Sequence, residues 1–249
     1  MSSTNTRSTT ETGHAKNLAH FLQLISFCEG YAEVYNPTKE SLKIPQLKTL
    51  YQEAQDHINA TKTQKATFDK VTNLRKTAFI NLKPLSTKII NAFAVSGADN
   101  LAINNIKSVN KKIQGKPAQP KTTNKNNDNT TITTISTSQQ SYDKQVDHFI
   151  NLLEILQQNE HYNPNEEELK VSTLKQKLEE LQNANATIVN TYTAYNNAML
   201  KRNFTLYNPL SGLVQIAKEV KQYIKSIYGA TSPQFKKISA LEFKIVKKD

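Results

Sequence analysis

The sequence predicts an all-α fold: two related antiparallel helical bundles of about four helices each, one of them long, joined by a flexible polar linker. Three observations carry that expectation. Apolar residues recur at helical spacing along most of the chain. One phrase is spelled twice, YNPTKESLKI at 35–44 and YNPNEEELKV at 162–171. Between the two copies lies a stretch of Pro, Asn, Thr and Ser with no helical period.

The expected organisation is a disordered polar tail at 1–14, a first helical repeat at 15–114, an Asn/Thr/Pro-rich linker at 115–141 and a second helical repeat at 142–249. Aligned without gaps, residues 35–55 and 162–182 agree at 10 of 21 positions. Unrelated sequence of ordinary composition would agree at about one or two. The echo runs both ways. His20-Phe21 matches His148-Phe149, Arg75 matches Arg202, and Gly97-Ala98 matches Gly229-Ala230. Past the Gly-Ala pair the apolar positions stay in step: Ile103 with Phe235, Ile106 with Ile238, Val109 with Leu241, Ile113 with Ile245. An internal duplication accounts for all of these at once.

The elements follow in order. Leu18, Phe21, Leu22, Ile25 and Cys28 make one face of a first helix, as do Val146, Phe149, Ile150, Leu153 and Leu156 in the second copy. The YNP triplet stops each, because a residue before proline is pushed out of the helical region. A second helix is predicted to start at Pro45, a good first helical residue, and in copy two at Ser172 acting as N-cap. It runs without glycine or proline to about Asn81, roughly 50 Å of helix. Its apolar stripe weakens in the middle, at Thr61, Lys65, Asn185 and Asn190. Either its ends alone are covered or a polar layer crosses the bundle there. Pro84 and Pro209 are predicted to open a third helix that Gly97 and Gly229 end. A fourth amphipathic helix is predicted at 101–113 and 235–246.

Composition narrows the function classes. Cys28 is the sole cysteine, which excludes an intrachain disulfide and a thiolate-rich metal site. No stretch approaches the roughly 20 apolar residues of a membrane span, and the polar start lacks a secretory signal's apolar run, so a cytoplasmic location is expected. The net charge is +11. Residues 18–116 hold 14 basic against 7 acidic side chains and 142–249 hold 14 against 12, so the first repeat carries the excess.

No phosphate-binding glycine loop, dinucleotide fingerprint, zinc-protease motif or nucleophile elbow occurs, and no cofactor is expected. The Glu-x-x-His pairs of a di-iron bundle are absent, since Asn17 and Gln145 stand three residues before His20 and His148. Three matched sets remain as candidates. His20 and His148 share a slot and can form a paired polar site, or simply be satisfied helix histidines. Arg75 and Arg202 can clamp an anion with their planar forks, or lay their stems on the core and pair locally. Tyr35, Asn36, Pro37 and Tyr162, Asn163, Pro164 can present a binding loop twice, or serve as a turn with a tyrosine anchor.

The expected role is therefore non-catalytic: a structural or protein-interaction module that self-associates or binds a partner bivalently through its two repeats. The alternative is binding of nucleic acid or another polyanion through the basic first repeat (Lys62, Lys65, Lys70, Arg75, Lys76, Lys83, Lys88) and the basic C-terminus. A third reading is an enzyme using a polar mid-bundle layer with the paired His and Arg.

Overall fold

A computed structural model of the chain describes residues 9–115 and 140–246, with side chains from Gly13 onward. Nearly all of the expected linker and the first eight residues of the expected tail lie outside the described residues. Among those described, every regular element is helical and no strand occurs. The α-helices are α1 (Thr9–Gly30), α2 (Ile44–Phe79), α3 (Leu82–Ala94), α4 (Asn100–Gln114), α5 (Tyr142–Gln157), α6 (Val171–Tyr207), α7 (Leu213–Tyr228) and α8 (Pro233–Ser239). Short 3-10 turns at Glu40–Leu42 and Glu167–Leu169 precede the two long helices.

Threonine hydroxyls along the long helices bond back to the preceding turn, and Thr61 also donates to the Ala198 carbonyl of α6 at 3.2 Å. Thr61, Thr67, Thr72 and Thr77 donate to the carbonyls of His57, Thr63, Phe68 and Asn73, and Thr187 and Thr191 to those of Asn183 and Thr187.

The described chain divides into two compact units, and they are not the two repeats. Unit 1 comprises residues up to Thr67 together with those from Tyr192, and unit 2 comprises Phe68–Thr191. The boundary falls inside α2 and inside α6, in the stretch where the apolar stripe weakens. Unit 1 thus joins α1 and the first part of α2 with the last part of α6, α7 and α8, and unit 2 joins the rest of α2, α3 and α4 with α5 and the first part of α6.

The core of unit 1 is built from Phe21, Leu24, Ile25 and Cys28 of α1, Leu47, Ala54 and Ile58 of α2, and Leu213, Ala217, Val220 and Ile224 of α7. That of unit 2 uses Phe149, Leu152, Leu153 and Leu156 of α5, Leu174 and Leu181 of α6, and Leu82, Ile89 and Phe93 of α3. The buried positions on α7 and α3 keep a constant offset (Leu213 with Leu82, Val220 with Ile89, Ile224 with Phe93).

Several local expectations change. Helix α1 reaches back to Thr9, and His14 is buried, its Nδ1 2.6 Å from the Tyr207 hydroxyl, so the polar tail is shorter than expected. Ser172 is not a cap. Lys170, in extended conformation, takes that position and Ser172 lies inside α6. Pro209 opens no helix. Asn208 Oδ1 accepts from the backbone N–H groups of Leu210 and Ser211, which bends the chain until α7 begins at Leu213. Gly212 is required in that turn, since a Cβ there would lie 2.4 Å from the Asn208 nitrogen. The predicted helix over 235–246 is cut short: α8 ends at Ser239, and 242–246 continue without helix or strand.

Candidate interaction site

The repeated phrase is a clasp. Tyr35 is buried and its hydroxyl donates to the Leu42 carbonyl at 2.6 Å; Tyr162 donates to the Leu169 carbonyl at 2.9 Å. Each bond closes the loop between the first and the long helix and fixes the 3-10 turn. Tyr35 packs edge-on against Tyr223 of α7, and the Tyr162 ring lies tilted at 41° against Phe93 of α3. Burial pushes the Tyr162 phenol up to about 12 and raises that of Tyr35 as well. Pro37 is buried, Pro164 half-buried, and Asn36 and Asn163 are exposed. The Asn36 N–H donates to the Tyr223 hydroxyl at 3.2 Å. The tyrosines and Pro37 are thus engaged within the fold, and the asparagines are what the loops present.

His20 and His148 belong to different units. His20 is half-buried, with Nδ1 2.7 Å from the Glu242 carbonyl and its ring edge-on to Phe243. His148 is buried, and its Nε2 makes no hydrogen bond among the described residues. Burial holds its pKa below the usual histidine value, and the nearby Lys112 adds to the effect. Arg75 and Arg202 are likewise divided between the units. Arg75 lies 4.3 Å over the Tyr142 ring, an aromatic contact of its planar fork. Arg202 is buried and donates through Nε and Nη2 to Asn203 Oδ1 at 3.1 Å.

Of the basic run, Lys83 donates to the Gln114 carbonyl and Lys88 pairs with Glu168 at 2.8 Å, so parts of the supposed polyanion stripe are engaged within unit 2. The Lys88–Glu168 pair stands over a cleft of about 440 Å³ lined also by Pro84, Leu85 and Lys177. Lys177 there donates to the Ala78 carbonyl at 2.9 Å.

In unit 1, α1 and α7 hold residues 241–246, a contact with no mark in the sequence. The Asn17 amide pairs with both main-chain groups of Lys244: Nδ2 donates to its carbonyl at 2.7 Å and Oδ1 accepts its N–H at 3.0 Å. Lys221 of α7 donates to the carbonyls of Leu241 and Ser239. Phe243 stands edge-on to Phe21 and lies under the Lys221 ammonium. Burial pushes the Lys221 pKa down. Asn17 is buried, and no sequence signal marks it, because its partner lies more than two hundred residues away.

Unit 1 also exposes apolar side chains on successive turns of α6, Leu200 at 56% and Phe204 at 65%, with Leu210 just beyond at 82%. Among the described residues no group of three or more His, Cys, Asp or Glu is placed to hold a metal ion, and no helix is long and apolar enough to cross a membrane. In comparisons with known proteins, the chain matches no family, no curated protein and no solved structure.

Proposed function

We propose that this chain is a non-catalytic protein-interaction module, built by internal duplication, that self-associates through unit 1. The observation that carries the reading is the pair Leu200 and Phe204, one helical turn apart on α6 and both more than half exposed. Single exposed apolar residues are ordinary. Adjacent ones on one helix face, continued by Leu210, make a patch of the kind that proteins cover with a partner. The recurrence of the tyrosine clasp supports the duplication, since one loop design serves both units. Leu200 and Phe204 have as counterparts Asn73 and Thr77, both polar, so the apolar patch is a property of one unit and not of the repeat.

Light scattering on a sizing column, with absorbance at 260 and 280 nm, tests this. A defined oligomer that falls to monomer in the double variant Leu200→Asp, Phe204→Asp is the expected result. A wild-type monomer at high micromolar concentration would refute self-association. A salt-sensitive species absorbing mainly at 260 nm would replace this reading with the polyanion one.

A further inference from the structure

We propose that the groove between α1 and α7 is a receptor for an extended polypeptide segment, and that the segment it takes in trans is Leu241–Val246 of a second copy of this chain. The proposal rests on the self-association reading above and names a second surface for it.

The groove reads main chain. Asn17 is almost wholly buried, and its amide offers one donor and one acceptor to a single residue, as a neighbouring strand would. His20 and Lys221 add contacts to the carbonyls of Glu242 and Leu241. These contacts require backbone outside a helix with a free N–H at one position; they do not require a particular side chain. Side-chain selection comes from two positions. Leu241 is buried and Phe243 half-buried, while Glu242, Lys244 and Ile245 are exposed. Val246 sits against α1 where Gly13 leaves room, since a Cβ at Gly13 would lie 2.8 Å from its Cγ2.

The occupant is shallowly held. Ile245 is 58% exposed, whereas Ile113, its counterpart in unit 2, is 0% exposed inside α4. Among the described residues the segment joins no helix or sheet beyond α8. Release at Ser239–Ala240 would leave Asn17 and Lys221 without these partners, a state that favours a replacement of the same chemistry. The sequence shown to fit is this chain's own. Every contact broken within one copy is remade between two, so exchange costs association entropy and no interface.

Two full-length variants, Gly13→Cys and Val246→Cys, carried on differently tagged chains, test it. The 2.8 Å approach at Gly13 puts the two Cβ atoms within the roughly 3.5–4.5 Å that a disulfide spans. Cys28 can remain, since burial pushes its thiol up to about 12 and leaves it unreactive. Mixed at high concentration and oxidised, the chains should form a covalent heterodimer through residues 13 and 246. Adding Lys244→Pro to the second chain removes the N–H that Asn17 accepts, and should lower the yield about tenfold or more. If no heterodimer forms while the double variant Gly13→Cys, Val246→Cys closes within one chain, exchange is overturned. A heterodimer indifferent to Lys244→Pro overturns main-chain recognition, and failure of both pairings overturns the groove. The cross-link reports this groove alone. The Leu200, Phe204 variant reports the α6 patch, so either surface can fail without obscuring the other.

Discussion

In unit 1 the segment that follows α8 lies against the first helix, whereas in unit 2 the single 15-residue helix α4 covers the matching one. The two stretches share a fully buried isoleucine, Ile238 of α8 and Ile106 of α4. They diverge beyond it because different side chains face them. Unit 1 supplies Asn17 and Lys221, whose donors take carbonyls outside a helix. Unit 2 has Gln145 and Ile90 at the matching steps. Gln145 turns to the Gln140 carbonyl and Ile90 joins the core. Helix α4 then runs on to a Gly115 cap with φ of 72°. An apolar pattern that repeats in step can thus be buried by two backbones, the choice resting on polar groups supplied from elsewhere in the chain.

The widest predicted gap between the units is at a shared core slot. Cys28 and Leu156 sit at matching positions and are equally buried. Leu156→Ala should cost about 2–5 kcal/mol of stability in denaturant unfolding. Cys28→Ala, which removes far less volume, should cost about 1 kcal/mol. Equal losses would mean that the slots are not equivalent and that the two cores follow different plans.

The tyrosine clasps should respond alike. Tyr35→Phe and Tyr162→Phe each strip a donor from a buried carbonyl, for a loss of about 1–3 kcal/mol apiece. Hydrogen exchange should place the local loosening in the 3-10 turn of the unit that was altered. Loosening in only one of the two would break the likeness between the loops.

Much of this likeness was legible in the sequence. The 3.6-residue stripe marks which face of each helix is buried, because it depends on neighbours in the chain, whereas YNP does not stop the first helices: α1 ends at Gly30 and α5 at Gln157, five residues before each tyrosine. The assignment of halves to units was not legible. A stripe says that Phe21 needs cover but not that Val220 of the other copy supplies it. The misplaced starts at Ser172 and Pro209 have a related cause. Residue type suggests a cap, but the Asn208 turn and the extended Lys170 decide where the helix begins. Among the candidate residues, Tyr35 and Tyr162 could be anticipated as anchors. Asn17 could not, since its partner is Lys244, more than two hundred residues away.

The histidine slot separates the units by pH. His148 is buried, and the charged groups that act on it are Lys112 of α4 and Lys144 and Asp147 of α5. Its folded pKa is depressed, so the stability that neutral His148 allows is present above the ordinary value near 6.5 and is lost as pH falls below it. The unfolded chain accepts a proton there that the folded chain resists. His148→Leu should flatten the decline in stability as pH falls below about 6.5, relative to the wild type. An unchanged slope would show that His148 reaches water in the folded state.

The smallest expected effect concerns the ion pair that ties a loop to the third helix in each unit. In unit 1 the loop residue Lys39 pairs with Glu219 of α7 at 2.6 Å; in unit 2 the loop residue Glu168 pairs with Lys88 of α3 at 2.8 Å. Lys88 and Glu219 occupy matching steps of the third helices, but Lys39 matches Glu166 and Glu168 matches Ser41 in the repeated phrase, so each unit reaches that step from a different loop position and with opposite polarity. The charge on each third helix thus complements the loop it meets. Both pairs are largely exposed, and each contributes about 0.2–1 kcal/mol. Glu219→Lys should cost about that much, and adding Lys39→Glu should restore it, with the benefit shrinking in high salt. A double variant no more stable than Glu219→Lys alone would remove charge from the explanation and leave the shapes of the two cores to specify the pairing.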